Sequence, residues 1–217
     1  MYEGKYGEKE CVLVLTGMGG EHARQVTQLI VSTYPVSALI STGFGGSLNH
    51  KTGVGDVVIY SKLCDGAKAP VPGVQPELIS DSKLVAAAST LKGNNFQTLV
   101  GRGLTLSEVC SLPATKLELG QKFAADIVDM ESYSIGQTAL ERKYPFIAVR
   151  SVFDCVEDDL TPLNSITTGG RLSPGRACSH LIVHPGDIRK LFGFSRNAVK
   201  ARKNLALFLS ALLEKME

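Results

Sequence analysis

A chain of 217 residues, 44% hydrophobic and 20% charged, is long enough to bury one sizeable core. Its 23 lysines and arginines against 21 aspartates and glutamates leave a net charge of +2, which argues against wholesale nucleic-acid binding. No apolar run approaches the roughly 20 residues of a membrane helix, and the opening Met1-Tyr2-Glu3-Gly4-Lys5 is no signal peptide, so a cytoplasmic protein without an integral membrane segment is expected.

In chain order, residues 2 to 16 read as a hairpin turning at Lys5-Tyr6-Gly7-Glu8 and returning along the apolar strand Cys11 to Leu15. Gly17-Met18-Gly19-Gly20 ends that strand and opens a helix from about Glu21 to Thr33. Val36 to Ser41 and Val54 to Tyr60 read as buried strands. The proline- and glycine-bearing stretch 67–75 reads as a loop. Asp81-Ser82 caps a helix to about Leu91, and Gln97 to Val100 is a further strand.

Strand, helix and strand follow over Phe123–Val128, Tyr133–Arg142 and Phe146–Val152. Such alternation predicts an α/β fold with a central, largely parallel sheet covered on both faces. Leu205, Phe208, Leu209, Leu212, Leu213 and Met216 recur at three- and four-residue steps, the stripe of a final amphipathic helix. No linker, internal repeat or low-complexity tract divides the chain, so one domain over 1–217 is expected. Five cysteines, at 11, 64, 110, 155 and 178, lack paired spacing and read as reduced thiols.

Two carboxylates stand out because their neighbours are apolar. Glu131, in Val128-Asp129-Met130-Glu131-Ser132, falls where a strand gives way to a helix. Asp154, in Val149-Arg150-Ser151-Val152-Phe153-Asp154, ends the next strand. Ligands of open α/β sheets gather at the carboxyl ends of strands, so both acids are expected at one crevice. A carboxylate placed there costs stability unless it is paired or used. The plainer roles are that Asp154 caps the segment after its strand, and that Glu131 and Asp129 compensate a helix N-terminus.

These runs, with Ser41-Thr42-Gly43-Phe44-Gly45-Gly46-Ser47-Leu48 and Val54-Gly55-Asp56-Val57-Val58, resemble the purine nucleoside phosphorylase and methylthioadenosine/S-adenosylhomocysteine nucleosidase superfamily over roughly residues 11 to 160. The resemblance implies a three-layer α/β/α fold with a twisted mixed sheet. It also implies cleavage of the N-glycosidic bond of a purine nucleoside, with adenine as the expected base, by hydrolysis or by phosphorolysis. Asp154 matches the general acid that protonates the base at N7, a role that requires its pKa to rise; Arg150 would oppose that if it were close. Glu131 matches the residue that accepts hydrogen bonds from the ribose hydroxyls, Met130 would lie against the sugar, and Asp129 and Arg150 would stand beside them. Gly43-Phe44-Gly45-Gly46 would let backbone approach the sugar and the nucleophile, with Phe44, Gly45 and Gly46 as substrate contacts, while Val109 and Cys110 match base-contacting positions loosely.

Gly17, Gly19 and Gly20 precede a helix whose N-terminus suits a phosphate or a water. Neither glycine turn is G-x-G-x-x-G, so no dinucleotide is expected, and inorganic phosphate is the one co-substrate implied. His180 and His184 share a helical spacing but lack a third ligand, so no metal is expected. Family members assemble as homo-oligomers, which is expected here too.

The sequence departs from the nucleosidase pattern at Phe44, where that branch carries a small polar residue. It also opens on the hairpin that normally comes second, so the first strand and its water-activating glutamate are not seen; Glu3, Glu8 and Glu10 are poor substitutes on a polar hairpin. Weakened hydrolysis is expected, and a non-catalytic or truncated nucleoside-binding homologue is the alternative. The stretch 171–203 carries Arg171, Arg176, Arg189, Lys190, Arg196, Lys200, Arg202 and Lys203 against Asp187 alone. It reads as a solvated basic face, able also to attract phosphate or an acidic membrane surface, and resembles hopanoid-associated nucleoside phosphorylase homologues.

Overall fold

The computed structural model describes residues 1–67, 77–168 and 171–216. The expected hairpin is there, as β1 (Tyr2–Tyr6) and β2 (Lys9–Leu13) joined through Gly7 at φ 60°. It forms a two-stranded sheet of its own, with Tyr2, Val12 and Leu13 exposed. Gly17 and Gly19, at φ 77° and 98°, then swing the chain into α1 (Gly20–Thr33), a bend in the left-handed region that glycine alone adopts without strain. The loop expected over 67–75 lies, apart from Ala67, outside the described residues.

The main sheet holds β3 (Leu39–Ser47), β4 (Val57–Asp65), β5 (Glu77–Ile79), β6 (Thr98–Thr105), β7 (Ile127–Asp129) and β8 (Phe146–Asp154) in the order β5-β4-β6-β7-β3-β8. Its two longest ladders, β3 with β8 and β4 with β6, are parallel, as is β6 with β7. β7 runs antiparallel to β3, and β4 antiparallel to β5 and β8. Because Val57–Tyr60 pairs with Ala148–Ser151 as well as with β6, five strands close on one another and β5 remains at the margin.

Helices cover both faces. α2 (Ser82–Ser89) starts at Asp81, whose carboxylate accepts from the N–H groups of Lys83 and Leu84, the expected cap. It shares a core with the last helix, in which Val57, Ile59, Ala88, Ile147 and Val149 meet Leu205, Phe208 and Leu212. α3 (Pro113–Phe123) closes a second cluster with Leu48, Leu104 and Cys110. α4 (Ser132–Glu141) buries Ala139 against Tyr60, Ala148 and Val152 on the opposite face, with α1 outside it. After β8 come α5 (Thr161–Ile166), the short β9 (Thr167–Thr168) and β10 (Arg171–Leu172), α6 (Pro174–Val183) and α7 (Ile188–Lys215). This is the three-layer α/β/α arrangement.

Several boundaries moved. Phe123, expected to start a strand, is the last residue of α3; Ala124 at φ 48° ends that helix and β7 begins only at Ile127. Val54 to Asp56 form the turn into β4, which runs on to Asp65. Phe44, Gly45 and Gly46, expected in a turn, are the interior of β3. At Gly45 a Cβ would lie 2.9 Å from Ile127 and from the Val128 carbonyl oxygen, so the glycine serves close strand approach.

Candidate active site

β7 ends at Asp129, which is buried and acts as the cap of α4. Its Oδ1 accepts from the N–H groups of Glu131 and Ser132 at 3.1 and 3.0 Å and from the Thr105 hydroxyl at 2.9 Å. Its Oδ2 faces Arg150 Nε at 3.2 Å without hydrogen-bond geometry, a coulombic contact. The plainer role foreseen for Asp129 is therefore the one its bonds describe.

Glu131 does something else. It makes no cap bond to α4; its Oε1 accepts from the Gly19 N–H at 2.9 Å, at the start of α1, and its Oε2 lies 4.0 Å from Arg150. Burial raises the Glu131 pKa, while the Gly19 N–H and Arg150 pull it back. The Gly19 N–H, foreseen as a phosphate or water donor, is thus occupied by a carboxylate. Gly20 is the point where α1 presses on α4, since a Cβ there would meet Ser134 Oγ at 2.5 Å. Gly17 bends the backbone three residues earlier.

Arg150 is buried in β8 and reaches the Ser41 hydroxyl at 3.1 Å, which in turn meets the Ser132 hydroxyl at 3.2 Å. Gly43 leaves room for the guanidinium, 3.6 Å from its would-be Cβ. One guanidinium against two carboxylates, Asp129 and Glu131, gives this cluster a formal charge of −1. Met130, half-buried, lies between the two acids in sequence and its carbonyl oxygen approaches Gly20.

Asp154 belongs to a second cluster. Its carboxylate is 3% exposed and receives Lys116 Nζ at 2.5 Å, and Lys116 is 0% exposed. The ammonium also donates to the carbonyls of Cys155 and Asp158, both at 2.8 Å, so its three N–H bonds are used. Burial raises the Asp154 pKa, and Lys116 opposes the rise. The cation against Asp154 is therefore Lys116, which the sequence reading missed, while Arg150, foreseen as its opponent, pairs with Asp129 and Glu131. The one signal was Pro113, a proline suited to the first turn of a helix, which would have revealed α3 but not that Lys116 is buried. Gly46 lets β3 pass under Asp154, since a Cβ there would lie 2.9 Å from Oδ2. Cys110 is buried, and burial raises its thiol pKa, with Lys116 opposing the rise, whereas Val109 is half-buried on the segment leading there.

Register shows how the clusters relate. Gly43 pairs with Arg150 and Gly46 with Asp154 on one side of β3, while antiparallel β7 pairs Val128 with Gly46. The chain leaving β7 thus runs back along β3 toward the Arg150 level, carrying Glu131 with it. The two acids lie about three strand positions apart, on the order of 10 Å. Phe44 stands elsewhere: it stacks on Phe153 at 6.0 Å, and Phe153 on Phe194 of α7 at 6.0 Å. Phe153 is three residues from Arg150 on β8, so this aromatic ladder occupies the opposite sheet face.

His180 meets Asp187 at 2.9 Å and its ring lies 4.9 Å from that of His184. No cluster of three metal-ligating side chains occurs among the described residues. Nor is any described helix long and apolar enough to cross a membrane.

The chain is 29% identical over 164 residues to a 5'-methylthioadenosine/S-adenosylhomocysteine nucleosidase of Staphylococcus haemolyticus, covering 70% of this chain and 72% of that one. The nucleosidase of the same name from Exiguobacterium is 27% identical over 170 residues, 73% of each chain. In structure it is similar to the Colwellia psychrerythraea nucleosidase solved with adenine, at TM-score 0.76 and 19% identity over 98% of this chain and 81% of that one. Futalosine hydrolase of Helicobacter pylori follows at TM-score 0.74 and 16% identity, over 99% and 83%. Residues 1–172 match the model of the phosphorylase superfamily, and the chain belongs to that family.

Proposed function

We propose that this protein cleaves the N-glycosidic bond of an adenine nucleoside. The observation that carries the reading is the pair of carboxylates, half-buried Glu131 and buried Asp154, each set against its own cation and, by strand register, on the order of 10 Å apart. That span suits a nucleoside lying with its ribose at Glu131 and the far edge of its base at Asp154. The names of the relatives, methylthioadenosine/S-adenosylhomocysteine nucleosidases, support adenine as the base.

Breaking the bond leaves positive charge on the ribose and negative charge on the departing base. The net −1 of the Asp129, Glu131 and Arg150 cluster favours the cationic sugar, and Glu131 accepts hydrogen bonds from its hydroxyls. Asp154, whose pKa burial has raised, delivers a proton to the base and is left as a carboxylate beside Lys116, which stabilises the ion. Water, which then gives up a proton to solvent, or phosphate attacks the sugar carbon as the glycosidic bond breaks. As in the expected family pattern, we propose that the active species is a homo-oligomer.

A second reading has its own support: both carboxylates already hold internal partners, Gly19 N–H and Lys116. On that reading the chain binds nucleosides without turning them over. Incubation with methylthioadenosine, S-adenosylhomocysteine and adenosine, with and without phosphate, and detection of free adenine separates the two. Adenine release supports cleavage, and its phosphate dependence reports hydrolysis or phosphorolysis. Saturable binding without any release supports the second reading.

A further inference from the structure

The last helix is amphipathic twice over. Its inner stripe, Phe194, Ala201, Leu205, Phe208 and Leu212, is buried. On the outer face Ile188, Phe192 and Val199 recur at helical steps and are 46%, 67% and 59% exposed. Arg189, Arg196, Arg202 and Lys203 flank them, all exposed, with no ion pair to an acid among the described residues. From Ile188 to Leu213 the sequence contains no aspartate or glutamate. At the end of α6, Ile182 and Val183 are also exposed.

We propose that this face of α7 docks on an anionic lipid surface. Charge selects the occupant. A second copy of the chain would bring the same unpaired cations against these, which repel. A nucleic acid would satisfy the cations but leave Ile188, Phe192 and Val199 in water. An anionic bilayer meets both demands, with headgroups on the basic flanks and the apolar stripe set among the upper acyl chains. The helix lies in the interface and does not span it, consistent with its polar flanks. The core-facing stripe is untouched, so docking needs no unfolding of the sheet.

The test is co-sedimentation of the full chain with vesicles of phosphatidylcholine containing a third phosphatidylglycerol, against phosphatidylcholine alone. Binding is expected to the anionic vesicles only and to weaken as salt rises. Arg196→Glu with Lys203→Glu should reduce it by at least about tenfold, and Phe192→Ser should weaken it while leaving circular dichroism and thermal melting unchanged. No binding to anionic vesicles at low salt overturns the proposal. So does binding that Phe192→Ser leaves intact, with duplex DNA competing equally well, because the face would then be a polyanion site. A dimer by sedimentation that Phe192→Ser converts to monomer, without vesicle binding in either form, also overturns it.

Discussion

Lys116 Nζ stands 2.5 Å from Asp154 Oδ2, both side chains buried, and the same ammonium holds the carbonyls of Cys155 and Asp158. Opposite charges removed from water stabilise one another only while both are present. Lys116→Met should therefore leave an uncompensated buried carboxylate and cost about 3–5 kcal/mol of unfolding free energy. Adding Asp154→Asn should recover a large part of that loss. Denaturant unfolding of the single and double variants measures it, and additive losses would mean that the two side chains do not act as a pair.

Proton linkage at Asp154 has a definite sign. Its folded-state pKa is raised by burial, so the folded protein holds a proton that the unfolded chain has released. Wild-type stability relative to Asp154→Asn should be highest at acid pH. It should fall as pH rises from the ordinary aspartate range, near 3.9, through the raised value. Burial raises Glu131 in the same direction, so Asp154→Asn removes only part of the slope. Thermal melts of both proteins across pH 4 to 8 decide this, and a gap that widens in favour of the wild type with rising pH contradicts it.

Catalysis carries the same signature. If Asp154 protonates the base, kcat should decline on the alkaline side as it ionises, and Asp154→Asn should lower turnover about a hundredfold or more while nucleoside binding survives. Lys116 holds the Asp154 pKa down, so in Lys116→Met the alkaline limb should move to higher pH. A limb that stays in place, in a folded variant, removes Lys116 from control of the acid.

Glu131→Gln separates sugar recognition from folding. The amide oxygen still accepts from the Gly19 N–H, so α1 keeps its anchor. The charge that balances Arg150 and a cationic ribose is lost. Nucleoside affinity should drop while affinity for free adenine stays nearly unchanged, by calorimetry with each ligand. Equal losses for both would make Glu131 a structural bridge between α1 and α4.

Much of this was legible in the residues. Asp81 announced α2, the apolar steps after Leu205 announced the end of α7, and Glu131 and Asp154 stood out because carboxylates in apolar runs need a reason. What the residues hid was long-range. Nothing local in Ile127–Asp129 says that β7 runs antiparallel to β3, and that reversal sets the spacing of the two acids. The glycines of β3 resemble a turn because their purpose is the approach of Ile127 and Asp154, which only the folded sheet supplies. Lys116 reads as a solvated helix residue until α3 is docked over Asp154. Strand ends failed for the same reason: β4 and β6 extend as far as their partners do.

Phe44 offers the last test. It is 42% exposed and stacks on Phe153. An aromatic pair at a half-open edge contributes about 0.5–1.5 kcal/mol beyond burial, so Phe44→Ser should cost little stability. The ladder continues through Phe153 to Phe194 of α7, on the sheet face away from Arg150. If Phe44 only ties α7 to the sheet, the serine variant should melt slightly earlier and keep both kcat and KM. If it walls the substrate cavity at the strand end, KM should change for nucleosides differing in their 5′ group while kcat holds. The opposite-face placement favours the first outcome. A KM that shifts with the 5′ substituent at constant melting temperature would overturn it and make Phe44 a specificity residue.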